Sequence, residues 1–291
     1  MKSIFLRQAL LFLFFISCSL SSSLLLAKTF TFTAIPDQDQ TRLKQRFNQV
    51  AKYLETELNV QVQYIPVKSY SAAITAFRND QVQLAWFGGL SGVQARRLVP
   101  GSKAIAQGEE DQFFKTYIIA NTQTGLIKAQ TLPTNTAKLT FSFGAKGSTS
   151  GRLMPEYYLQ KHYGDLSKNI FKRIGFSGDH SRTIALVQSG AYDLGAVNYK
   201  VWEQELANNS IDLNNIDVIW ESPNYPDYQW TIRGDTDKYW GSGFSNKVQL
   251  ALLSIIDPVL LNAFPRTKFV QAKSEDYKVI LDTAKSIGLI D

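Results

Sequence analysis

Cysteine is all but missing from this 291-residue chain; the single one, Cys18, lies near the N-terminus. Beyond it, disulfides, thiol nucleophiles and cysteine metal sites are excluded. Histidine is equally scarce: His162 and His180 are well separated in sequence. An acid–base pair or a histidine metal centre therefore has little to draw on. Charged residues make up 19% of the chain, below the roughly 25% usual for soluble domains. The net charge of +6 is scattered, with no basic tract of the kind that marks a nucleic-acid surface. Long apolar runs are missing as well, since Ala9 to Ile16 is too short to span a bilayer. No repeat or low-complexity segment stands out beyond the N-terminal stretch.

Residues 1–27 have the layout of an export signal: Lys2 and Arg7, a short apolar run, then small residues ending at Ala27. Removing Lys2 and Arg7 takes the charge from +6 to +4. Cys18 offers a second route, lipid attachment, although Phe15 three positions earlier is unusual for that motif. Either route exports the protein.

From Phe30 onward, strand-like and helix-like segments alternate. Phe30 to Ile35 reads as a strand, and Leu43, Phe47, Val50, Ala51 and Leu54 share one face of the helix that follows. Val60 to Val67 and Gln81 to Phe87 read as strands, each followed by a helix. A second set begins at Leu139 to Phe143 and includes Phe171 to Phe176 and Leu194 to Val197. This alternation predicts α/β architecture, a parallel sheet under helices. Two such sets joined by extended segments predict two lobes around a cleft. The expected lobes are 28–120 plus 223–291, and 121–222, with crossings near Tyr117 to Thr122 and Glu221 to Tyr228. Pro223 and Pro226 limit where the second crossing can bend.

The segment Gly144-Ala145-Lys146-Gly147-Ser148-Thr149-Ser150-Gly151-Arg152 carries the most information. A strand runs into three hydroxyl residues that open a helix. Free backbone N–H groups and the helix dipole there favour an anion, and the hydroxyls add donors without charge. Taken alone, the stretch is also compatible with an ordinary N-cap. Three more strand ends resemble it: Asp37-Gln38-Asp39, Gly88-Gly89-Leu90-Ser91-Gly92 and Ser177-Gly178-Asp179-His180-Ser181. Ligands of open α/β sheets sit beyond the carboxyl ends of strands, where such turns converge. His180 is positioned to donate to an anion, more strongly when protonated, whereas His162 reads as a solvated helix end. Tyr70 and the pair Trp86-Phe87 are candidate pocket walls, although aromatic residues at such points are more often core.

Together these stretches resemble the periplasmic phosphate, phosphite and phosphonate solute-binding proteins of ABC transporters. Ala34 to Asp39, Ser69 to Ala73, Ala85 to Gly89, Gly147 to Arg152, Gly178 to His180, Thr183 to Gly190 and Gly195 to Asn198 carry the likeness. The resemblance implies a two-lobed type II periplasmic binding fold that captures a small tetrahedral oxyanion and hands it to a membrane permease. It implies no cofactor, a periplasmic location and a monomer. By motif, Ser148, Thr149 and Ser150 would hold the oxyanion with the helix amides, and His180 would donate beside them. Tyr70 and Phe87 would close from the first lobe; several relatives have tyrosine at the Phe87 position. Asp37, Gln38 and Trp86 are further candidates. Asn198 takes the place of an aspartate found in phosphonate and phosphite binders. That departure, with Trp86 to Leu90, looks like a subgroup named for selenate binding, whose acceptor-only ligand would suit an amide donor. Selenate or sulfate capture and oxyanion sensing are thus alternatives to phosphorus import. A pyrimidine-synthesis-like enzyme is disfavoured by the missing acid–base groups.

Overall fold

The computed structural model describes residues 28–291, so the export signal and Cys18 lie outside the described residues. The strands are β1 Phe30–Ala34, β2 Val62–Tyr64, β3 Leu84–Phe87, β4 Lys103–Gly108, β5 Thr116–Asn121, β6 Thr140–Phe143, β7 Arg173–Phe176, β8 Leu194–Asn198, β9 Ile216–Glu221, β10 Gln229–Ile232 and β11 Phe269–Gln271. They form two sheets, of order β11-β4-β10-β3-β1-β2 and β7-β6-β8-β5-β9. No helix among the described residues is long and apolar enough to cross a membrane.

Helices flank each sheet because their apolar residues recur on one side. In the helix Gln40–Leu58, the buried residues include Leu43, Phe47, Val50, Ala51, Leu54 and Leu58, the spacing that puts one face inward. Asp39 starts it by accepting from the Thr41 and Arg42 N–H groups, and Asn59, left-handed at φ 53°, ends it. Phe47 meets Phe32, Trp230 and Phe264 edge to face, joining this helix to the first sheet. Truncating it to alanine would cost about 3–5 kcal/mol. The second lobe has its own aromatic centre, with Phe141 stacked on Phe171 at 4.8 Å.

The sheets are mixed rather than parallel throughout. β1, β2 and β3 pair in parallel, as do β6, β7 and β8. β10 is antiparallel to both β3 and β4, and β5 is antiparallel to β8 and β9. The reason is connectivity: β5 and β10 each arrive straight from the opposite lobe, without the helical crossover that a parallel neighbour needs. β5 pairs with β8 and β9, so Thr116–Asn121, near the expected first crossing, run in the second sheet. The return crossing runs from Ser222 to Tyr228. Both crossings lie side by side: Phe114 and Tyr225 exchange N–H···O bonds of 2.8 and 3.0 Å, and Asp227 N–H donates to Asp111 O at 2.9 Å.

Candidate functional site

The carboxyl ends of β1, β3, β6, β7 and β8 face one another across the lobe interface. At the end of β6 the chain enters a wide helical turn, Thr149–Leu153, which continues as the helix Met154–Tyr163. Leu153 N–H bonds to Ser148 O, a five-residue step, and Ser148 Oγ accepts from Gly151 N–H at 2.9 Å. Such widened turns occur disproportionately at functional positions. The turn is sterically tight, since a Cβ on Gly151 would come within 2.9 Å of His180 Cε1 and 3.0 Å of Ser148 Oγ.

His180 opens the helix His180–Gln188, capped by Asp179. It is fully buried, and burial pushes its imidazole down to about 3, so the ring is neutral. Its Nδ1 accepts the Asn198 backbone N–H at 3.2 Å. The ring hydrogen therefore sits on Nε2, which lies 3.5 Å from Ser148 Oγ. Neutral, the buried imidazole supplies one fixed N–H, the weaker of its two donor states.

Asn198 caps the helix Tyr199–Ala207, its Oδ1 accepting from Lys200 and Val201 N–H. Its Nδ2 donates to Tyr228 Oη at 2.9 Å, and Tyr228 donates in turn to Asp37 Oδ2 at 2.8 Å. Burial raises the Asp37 carboxyl above its usual range, against the opposing charge of buried Arg46. Asn198 and Asp37 thus link the lobes through Tyr228. Further links are His180 N–H to Asp37 O at 3.0 Å and Leu90 N–H to Thr149 Oγ1 at 3.0 Å.

The residue that sequence reasoning missed is Asp227, in the return crossing. Its Oδ1 accepts from Gly89 N–H at 2.8 Å, and a Cβ on Gly88 would lie 3.0 Å from that oxygen and 3.3 Å from Thr149 Oγ1. Burial pushes its carboxyl up to about 7, although the Thr149 hydroxyl and the Gly89 N–H favour the charged form. The structure thus puts a carboxylate beside the hydroxyl cradle from the first lobe, whereas the resemblance marks an aspartate replaced at Asn198. No local signal in the sequence marks it, because its surroundings, Gly89 and Thr149, are distant in the chain.

The structure brings Tyr70, Ser148, Thr149, Ser150, His180, Asn198 and Asp37 together, with Asp227 and Tyr228. Tyr70 packs on Gly147, where a Cβ would meet its Cβ at 3.0 Å. Four buried atoms of this group have no hydrogen-bond partner among the described residues: Asp37 Oδ1, Tyr70 Oη, Ser150 Oγ and Asp227 Oδ2. Buried polar atoms are rarely left so, and here they combine hydroxyl donors with carboxylate acceptors. Gln38 sits behind, accepting a long 3.4 Å bond from Arg46. Trp86 stacks on Tyr228 at 5.5 Å and so supports it, while Phe87, on the opposite face of β3, packs edge to face on Phe77 at 5.6 Å. A cavity of about 430 Å³ is lined by Tyr70 and Gly147, with Lys68 and Lys146 also on its lining.

Comparison with known proteins bears on the family and the fold. The family model for the ABC-transporter phosphonate periplasmic substrate-binding protein matches residues 32–277. The probable ABC transporter phosphite-binding protein PhnD1 of Prochlorococcus marinus is 41% identical over 264 residues, 88% of this chain and 89% of that protein. The PhnD1 structure in complex with methylphosphonate superposes with a TM-score of 0.84, covering 90% of this chain and 99% of that one. A binding component of a phosphonate ABC transporter from Pseudomonas aeruginosa, 21% identical, shares the fold at a TM-score of 0.78, over 88% and 85% of the two chains. The chain therefore belongs to the phosphonate-binding family of ABC-transporter periplasmic substrate-binding proteins.

Proposed function

We propose that the cleft captures a small phosphorus oxyanion that still carries a P–OH hydrogen, of the phosphite and methylphosphonate class, for a membrane permease. The observation that carries this reading is Asp227: buried, with Oδ2 lacking any partner among the described residues, beside Thr149. An ionised carboxylate there needs a donor, and a ligand hydroxyl is one. The Ser148 and Ser150 hydroxyls, Tyr70 Oη and the His180 Nε2–H then meet the remaining oxygens as donors. A sulfate or selenate ion offers acceptors only, so it would require Asp227 to take up a proton first. The Asn198 amide, on which the acceptor-only alternative rested, already bonds the helix cap and Tyr228. The relative PhnD1, with methylphosphonate in its structure, supports the ligand class. In this reading residues 1–27 direct export, and the protein acts as a monomer.

The test is calorimetric titration with phosphite, methylphosphonate, phosphate, selenate and sulfate after unfolding and refolding to strip carried-over ligand. Binding of phosphorus oxyanions with little heat from sulfate or selenate is expected. A preference for selenate or sulfate at pH 7 would overturn the reading.

A further inference from the structure

Most bonds that draw the lobes together involve residues of the cradle itself. One cluster at the rim does not. Arg42, on the first-lobe helix Gln40–Leu58, reaches Glu205 on the second-lobe helix Tyr199–Ala207, with Nη1 2.7 Å from Oε1. The same Oε1 accepts from Ser181 Oγ at 2.9 Å, and Ser181 directly follows His180. The Arg42 side chain is 41% exposed, whereas that of Glu205 is only 7% exposed.

We propose that Arg42, Glu205 and Ser181 form an affinity-setting clamp: positioning residues that hold the lobes shut and steady the turn bearing His180, without touching ligand. The proposal deepens the oxyanion reading and rests on it. Parting the lobes separates Arg42 from the Glu205 carboxylate, which keeps only its bond from Ser181. The lost pair favours the closed form through protein contacts only. Apparent affinity scales with the fraction of molecules able to bind, so a clamp multiplies affinity for every ligand by one factor. A partly shielded pair of this kind is worth about three- to tenfold. The identity of the ligand is left to the cradle.

The experiment compares wild type, Arg42→Ala, Arg42→Lys and Glu205→Gln by titration with phosphite and methylphosphonate. The radius of gyration of each ligand-free protein is measured alongside by small-angle scattering, with circular dichroism to confirm folding. Arg42→Ala and Glu205→Gln should weaken both ligands by the same factor, about three- to tenfold, and enlarge the ligand-free radius. Arg42→Lys should restore most of the loss. Glu205→Gln is the decisive variant because it removes a negative charge. If bulk electrostatics alone mattered, it would tighten anion binding; the clamp requires it to weaken. Unchanged or tighter binding there, or a changed ratio between the two ligands, overturns the clamp. Should Glu205→Gln fail to fold, the exposed Arg42→Ala carries the test, and an affinity and radius equal to wild type overturn it. If wild type binds neither ligand, the oxyanion reading fails, and the radii of wild type and Arg42→Ala still decide the clamp.

Discussion

Replacing Asp227 by asparagine should stabilise the ligand-free protein at neutral pH while damaging capture of a P–OH ligand. In the folded protein this carboxyl is raised from 3.8 to about 7, chiefly by burial. Between these values the native state holds a proton that the unfolded chain has released, so stability falls as pH rises through that window. The resulting loss amounts to about 4 kcal/mol, fully expressed above pH 7 and vanishing below pH 4. Asparagine can keep the Gly89 N–H bond through Oδ1 and is neutral at every pH. Urea unfolding at pH 4, 5.5, 7 and 8 should therefore show wild type and Asp227→Asn nearly equal at pH 4. The variant should then lead by a margin that widens to a plateau just above pH 7. Titration at pH 7, where methylphosphonate still carries a P–OH hydrogen, should show the opposite order, with a loss of about ten- to a hundredfold from the missing charged acceptor. Selenate binding should improve instead, since the amide can donate. A stability gap of the same size at pH 4 and pH 8 would refute the reasoning, because Asp227 would then not be the group that holds the proton.

Ser148→Ala should cost about 1 kcal/mol of stability, because Ser148 caps the turn through Gly151 N–H, and should also weaken ligand binding in calorimetry. His180→Gln should weaken binding without changing its pH profile between pH 5 and 8, since the imidazole titrates near 3 in the folded protein; a lost pH step in that range would sink the neutral-donor assignment. Gly151→Ala should abolish measurable titration heat, as the added methyl would collide with His180 and Ser148. Lys68→Ala with Lys146→Ala should slow association in stopped-flow and flatten its salt dependence, leaving dissociation nearly unchanged, because both lysines line the cavity beside Tyr70 and Gly147.

Periodicity makes most of the strands legible, and the hydroxyl run at Ser148–Ser150 points to its turn, because local composition determines both. What periodicity does not show is where a strand finds its partners. The stretch near Tyr117 to Thr122 reads as a crossing between lobes, and it is the pairing with β8 and β9 that puts Thr116–Asn121 in the second sheet. Trp86 and Phe87 read alike as pocket walls, whereas one supports Tyr228 and the other packs on Phe77. Asn198 reads as a strand end and is one, but its bonds depend on Tyr228 and Asp37, far away in sequence. Asp227 is invisible for the same reason: nothing adjacent in the chain announces that it will be buried against Gly89.

The order of strands also bears on when this chain can fold. β10 lies between β3 and β4, pairing Gln229 with Phe87 and Trp230 with Ala106. The second lobe is a continuous insertion, complete once β9 has been made. The first lobe must wait for a strand more than 100 residues downstream before its sheet has a centre. Widely separated pairings of this sort slow folding. In a chain made from its N-terminus, the first-lobe strands therefore wait for their central partner until after the second lobe has all of its own.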